Sequence, residues 1–118
     1  MYLQVNGAQT YCYTGGKPFD AARPTVVFIH GVLNDHSVWA LQSRYMANHG
    51  WNVLAIDLPG HCKSGGEPPA SVEEASAAIV AALPRRTRRR FHGSRNCSSR
   101  LNAIVCLPVV FLCRRREP

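Results

Sequence analysis

A chain of 118 residues suffices for one domain and is short for two, and its 46% hydrophobic content is globular, which excludes a disordered chain. The net charge of +7 is unevenly held: residues 1–83 carry four basic and six acidic side chains, whereas 84–118 carry ten arginines and one acid. No apolar run reaches the ~18–20 residues that span a bilayer, and five cysteines (Cys12, Cys62, Cys97, Cys106, Cys113) without a C-x-x-C pair give neither a zinc spacing nor a disulfide frame.

In chain order, Tyr2 to Val5 and Gln9 to Tyr13 flank Asn6-Gly7. That dipeptide supplies the positive φ angles of a two-residue turn, so a β-hairpin is expected. Gly15-Gly16 and the stretch from Pro18 to Pro24 read as a loop. Residues 25–29, Thr-Val-Val-Phe-Ile, are apolar or β-branched without a break, the pattern of a strand buried on both faces of a parallel sheet. A helix is expected over 38–48, with Ser37 as N-cap, residues 38, 41, 45 and 46 as its apolar face and Gly50 as its stop. Residues 51–57 give a second buried strand, and a loop rich in Gly and Pro follows over 58–70. Ser71-Val72-Glu73-Glu74 is a capping box that opens an Ala-rich helix to Leu83.

Each of the two buried strands ends in a motif. The first runs into His30-Gly31, with Trp39 eight residues beyond Gly31; the second ends Asp57-Leu58-Pro59-Gly60-His61-Cys62-Lys63-Ser64. Together they resemble the N-terminal part of the α/β-hydrolase fold family over roughly residues 2–83, where D-x-x-G-x-G-x-S is common at the second place. Cys62 stands where that pattern has its second glycine. The resemblance implies an α/β fold: an N-terminal hairpin leading into a mostly parallel sheet with helices across it, here incomplete. It also implies hydrolysis of an ester, amide or similar bond in a small molecule by a Ser-His-acid triad, with no cofactor. The residue after His-Gly, Val32, with Leu33 as its neighbour, would donate an N–H to the oxyanion. His30, Gly31, Asp57 and Gly60 would support the motifs: His30 by bonding loop backbone, Asp57 by accepting backbone N–H groups. No G-x-S-x-G occurs in the sequence, and the family's catalytic His comes late in chain order, so no catalytic residue is assigned. His36, His49 and His61 show no metal-ligand spacing, and no metal site is expected.

Residues 84–118 break from this logic and read as a separate Arg-rich tail, unlike the family. Ten arginines would attract phosphates of nucleic acid or an anionic membrane, yet no aromatic stacking series accompanies them, so specific nucleic-acid binding is not expected. The same composition arises when a GC-rich gene is read out of frame. Without the family's next strand, 25–29 would expose one bare edge and invite self-association; residues 103–107 could cover it as a short parallel strand ending at Pro108. The absence of a basic-then-apolar leader, together with free thiols, predicts a cytoplasmic location.

Overall fold

Two parallel strands, β3 (Thr25–Ile29) and β4 (Asn52–Ile56), form the centre of the molecule, paired in register from Thr25↔Asn52 to Ile29↔Ile56. All ten residues are buried, as their unbroken apolar runs require. The computed structural model describes residues 1–31, 33–83 and 109–113, the last as backbone. The hairpin is present as β1 (Tyr2–Val5) and β2 (Ala8–Tyr13), with Asn6 and Gly7 both at positive φ, 51° and 80°. β2 continues the sheet by pairing antiparallel with β4 through Cys12↔Ile56 and Tyr13↔Ala55.

On the other side, β5 (Val109–Cys113) lies antiparallel to β3, from Thr25↔Cys113 to Ile29↔Val109. The five-stranded order is β1-β2-β4-β3-β5. The edge of β3 expected to be bare is therefore paired. The covering strand lies C-terminal to Pro108 and antiparallel, where the sequence suggested a parallel strand before it; residues 103–107 lie outside the described residues. A proline has no N–H for the ladder and is tolerated next to a strand's start, and Val-Val-Phe-Leu-Cys is the more β-prone of the two flanks.

Among the described residues, each face of the sheet carries one helix. Helix α2 (Val72–Ala82) lays Ala75, Ile79 and Ala82 on Val27, Ile29, Leu54 and Ile56. Its capping box forms: Ser71 Oγ accepts the Glu74 N–H at 3.1 Å, and Glu74 Oε2 accepts from Ala70, one residue before the cap, at 2.8 Å. Helix α1 (Ala40–Asn48) covers Val26, Phe28, Val53 and Ala55 on the opposite face. It is entered through a 3-10 turn over His36–Trp39, whose N-cap is Asp35 with Oδ1 accepting the Ser37 N–H at 2.7 Å; α1 itself follows Trp39 without a side-chain cap, so Ser37 caps neither. At its end, His49 donates to Tyr45 and Met46, and Gly50 takes φ 84°.

The buried side of α1 is only partly the expected one: Met46 packs against the core as expected, but the other three residues do not. Leu41 and Tyr45 are 77% and 62% exposed and Val38 is also exposed, whereas Ser43 and Ala47 are buried. The cause is the loop after β2. A Cβ on Gly15 would sit 2.5 Å from the Ser43 carbonyl and 2.7 Å from Ala47 Cβ. The loop backbone thus touches the helix backbone, and only small helix residues fit beneath it. Hydrophobic periodicity follows side-chain bulk, and here bulk is what the contact forbids. Gly15 also holds φ 71°, so Gly15→Ala combines a backbone clash with a left-handed conformation. The variant should lose about 2–4 kcal/mol in urea unfolding; a change below about 0.5 kcal/mol would show that the loop moves aside.

Candidate active-site region

Because β3 and β4 are parallel and in register, their next residues leave the sheet side by side. His30 and Asp57 follow Ile29 and Ile56, which places both loops at the C-terminal end of the strand pair, where open α/β sheets hold their ligands. His30 is completely buried. Its Nδ1 lies 2.9 Å from the Gly31 carbonyl and its Nε2 3.0 Å from the Leu58 N–H. A carbonyl only accepts and an N–H only donates, so the ring is neutral with the proton on Nδ1. Burial holds its pKa below the ordinary value, against the pull of the Gly31 carbonyl. With both nitrogens engaged by backbone, His30 has no free nitrogen to act as a base.

The turn after His30 is closed by the Asn34 N–H to the Gly31 carbonyl at 3.2 Å. Leu33 in that turn holds φ 64° and is 93% exposed, an unusual conformation for a residue with a bulky side chain. Val32 lies outside the described residues.

Asp57 is fully buried and gathers both loops. Its Oδ1 accepts the His36 backbone N–H at 2.7 Å, its Oδ2 accepts the Lys63 N–H at 3.3 Å, and His36 Nδ1 lies 2.9 and 3.0 Å from the two oxygens. Its carbonyl accepts from Ser64 Oγ at 2.7 Å, and that hydroxyl accepts the Tyr11 N–H at 2.9 Å, which ties the loop to β2. The His36 ring lies against Tyr11 and Tyr13, at 4.8 and 5.9 Å between centroids. The sequence does not mark His36, Ser64 or Tyr11 as partners of the Asp57 site. Their signal would have been a buried carboxylate's need for partners, which sequence spacing does not reveal.

Gly60 holds φ 70°, and a Cβ there would meet the Pro68 ring and nitrogen at 2.6 Å. Cys62, which stands where the resembled pattern has its second glycine, takes the left-handed conformation, at φ 44°. Its thiol is exposed and has a raised pKa, through desolvation and then the Asp57 and Asp35 carboxylates. Cys12 is buried and pushed up to about 12 by desolvation, which makes it inert. Asp35, His36 and Cys62, which show no metal-ligand spacing in the sequence, each bring one ligand-capable atom within 4.8 Å of the others. Asp35 and Cys62 are far apart in the chain, so only the fold makes this group.

Two outcomes follow. Cys62→Gly should stabilise the protein by about 1 kcal/mol, since glycine adopts this φ without steric cost; a lower denaturant midpoint would mean that the thiol makes compensating contacts. The neutral His30 makes stability fall in acid. Below its ordinary value of 6.5 the unfolded chain takes up a proton that the native ring, with its lowered pKa, does not. This contribution is complete above that value and is lost as pH drops towards the native pKa. Between pH 7 and about 5.5 the wild type should lose more stability than His30→Gln, read as denaturant midpoints at each pH; parallel loss in both would remove His30 as the cause.

Among the described residues no helix is long and apolar enough to cross a membrane. A family model described as "alpha/beta hydrolase fold" matches residues 24–91. A curated relative, 2-succinyl-6-hydroxy-2,4-cyclohexadiene-1-carboxylate synthase of Serratia proteamaculans (strain 568), is 36% identical over 64 residues, which are 54% of this chain and 24% of that protein. Among solved structures, epoxide hydrolase A from Mycobacterium thermoresistibile is similar with a TM-score of 0.60 at 20% identity, over 70% of this chain and 26% of that one. The chain thus spans about a quarter of the length of these relatives.

Proposed function

The chain belongs to the alpha/beta hydrolase fold family, and from that premise we propose that it carries the oxyanion-hole loop of a Ser-His-acid hydrolase acting on a small ester-like molecule, without the triad itself. The observation that supports this most is the turn after β3. It stands at the C-terminal end of the central strand pair and is braced from below by the buried His30, with Leu33 held at φ 64°. Residues fixed in such a conformation at a strand exit are suited to present N–H groups to a developing negative charge. Val32 is the proposed first donor and Leu33 its neighbour.

An oxyanion loop stabilises a transition state only when a nucleophile forms one. The sequence has no G-x-S-x-G elbow, and removal of triad members costs many orders of magnitude in rate. The serines placed near the site serve other ends: Ser64 Oγ bridges Asp57 and Tyr11, and Ser37 follows the Asp35 cap. The two relatives' names, a synthase and an epoxide hydrolase, also differ in chemistry, so the fold alone leaves the reaction open.

Purified chain should show no turnover of a p-nitrophenyl short-chain ester above the buffer rate, and no labelling by a fluorophosphonate serine probe. Labelled serine together with turnover that the probe abolishes would overturn the reading, because a nucleophile would then exist within this chain.

A further inference from the structure

We propose that Asp35, His36 and Cys62 form a site for one borderline-soft divalent cation of the zinc class, with water as the fourth ligand. One ligand-capable atom from each residue already lies within 4.8 Å of the other two. The donors are a carboxylate oxygen, an imidazole nitrogen and a thiolate, a mixed set that suits zinc and poorly suits calcium or magnesium, which prefer oxygen alone. In a tetrahedral site donors stand roughly 3.3–3.8 Å apart, given metal–ligand distances of about 2.0–2.3 Å. The group must therefore close by about an ångström; Cys62 is exposed on its loop, and closing would trade the Lys63 N–H at its sulfur for the metal.

The surroundings of His36 argue for a ligand and against a solvated surface group. Its Nδ1 is taken by Asp57, at 2.9 and 3.0 Å from the two carboxylate oxygens. A carboxylate acceptor fixes the proton on Nδ1 and leaves Nε2 with a lone pair, the carboxylate–histidine arrangement that orients metal-binding imidazoles. Tyr11 and Tyr13 flank the ring. Asp57 is itself fixed by the N–H groups of His36 and Lys63, so the orienting group is rigid. Asp35 accepts both the Ser37 N–H, at Oδ1, and the Ser37 hydroxyl, and a carboxylate with about four lone-pair sites keeps some for a cation. Cys62 holds φ 44°, where glycine would fit without strain. A strained residue whose side chain meets two further donors is the place to look for function.

Charge is balanced in the bound state. Binding breaks the Cys62 S–H bond and releases the proton to solvent, and the thiolate and the Asp35 carboxylate neutralise the dication. The nearby Lys63 amine is held over the Tyr11 ring, 4.8 Å from its centroid. A bound ion would clasp the loop after β3 to the loop after β4.

The test uses the full, reduced chain freed of metal with a chelator. Zinc titrated against a chromophoric competitor should bind at one equivalent, and cobalt in its place should give a thiolate-to-metal charge-transfer band. Cys62→Gly, which relieves the backbone, should stay folded, lose that band and weaken zinc at least ~100-fold. Asp57→Asn should retain the cobalt–thiolate band and bind about 10–100-fold more weakly, as for other orienting carboxylates. Where Asp57→Asn fails to fold, Asp35→Asn keeps the cap oxygen and should weaken zinc instead. Equal zinc affinity in the wild type and Cys62→Gly overturns the proposal and leaves only adventitious metal at other thiols and imidazoles; absence of binding in the wild type overturns it outright.

Discussion

The structure depends most on one buried carboxylate. Asp57 has no contact with water, so its charge is tolerable only if its oxygens are fully used. They are used by two backbone N–H groups and one imidazole, drawn from both loops that leave the parallel strand pair. The His36 N–H opens the 3-10 turn that feeds α1, and the Lys63 N–H lies in the loop that leads on towards α2. A single charge thus sets where the chain goes after each central strand. His30 makes the complementary tie, from the Gly31 carbonyl to the Leu58 N–H. Removing a partner from such a buried group costs far more than the net worth of the bond, because the remaining charge or dipole cannot be rehydrated.

A second polar fixture holds the other end of the strand pair. Asn52 is buried at the start of β4, in a run that is otherwise apolar. Its Oδ1 accepts the Asp20 N–H at 2.8 Å and its Nδ2 donates to the Asp20 and Arg23 carbonyls at 2.6 and 3.1 Å. The long loop before β3 is thus pinned by one side chain at three backbone groups. The same pair of strands is clamped at both ends by side chains that bond backbone, and the apolar residues between them fill the two faces.

What the sequence discloses and what it hides divides along a physical line. The hairpin turn, the two buried strands and the Ser71 cap rest on local chemistry: Asn-Gly turn geometry, unbroken β-branched runs, a hydroxyl three residues before a carboxylate. Such signals survive because no distant partner is needed. The buried face of α1 does need one, since Gly15 from another loop dictates that Ser43 and Ala47 turn inward. The same holds for the site. Asp57 and His30 are visible as motif residues, but the Asp57–His36 pair joins residues from separate loops, and the direction of β5 depends on a register with β3 that its five apolar residues do not specify. The conformation of Cys62 shows the converse: the turn holds a left-handed position without the glycine that would favour it. Surrounding contacts, through Asp57, Ser64 and Gly65, over-determine the backbone there.

The distribution of apolar surface gives the last step. One helix per face covers β3 and β4 well, yet Leu33, Leu41 and Tyr45 stay largely in water. Burial of a large apolar side chain is worth about 1.5–3 kcal/mol, so these residues add little of what their size would allow. On this face cohesion comes instead from close backbone approach at Gly15 and from Trp39 against Phe28, 5.0 Å between ring centroids. Among the described residues, the ends of the parallel pair, where the loops of the candidate site begin, are held by buried side chains that bond backbone. Rigidity at that point is what an oxyanion loop or a metal clasp requires, and the contacts that supply it are those that hold the fold. Stability and site geometry are consequently not separable here: a change at Asp57 or His30 alters both, whereas one at the wet face of α1 alters neither.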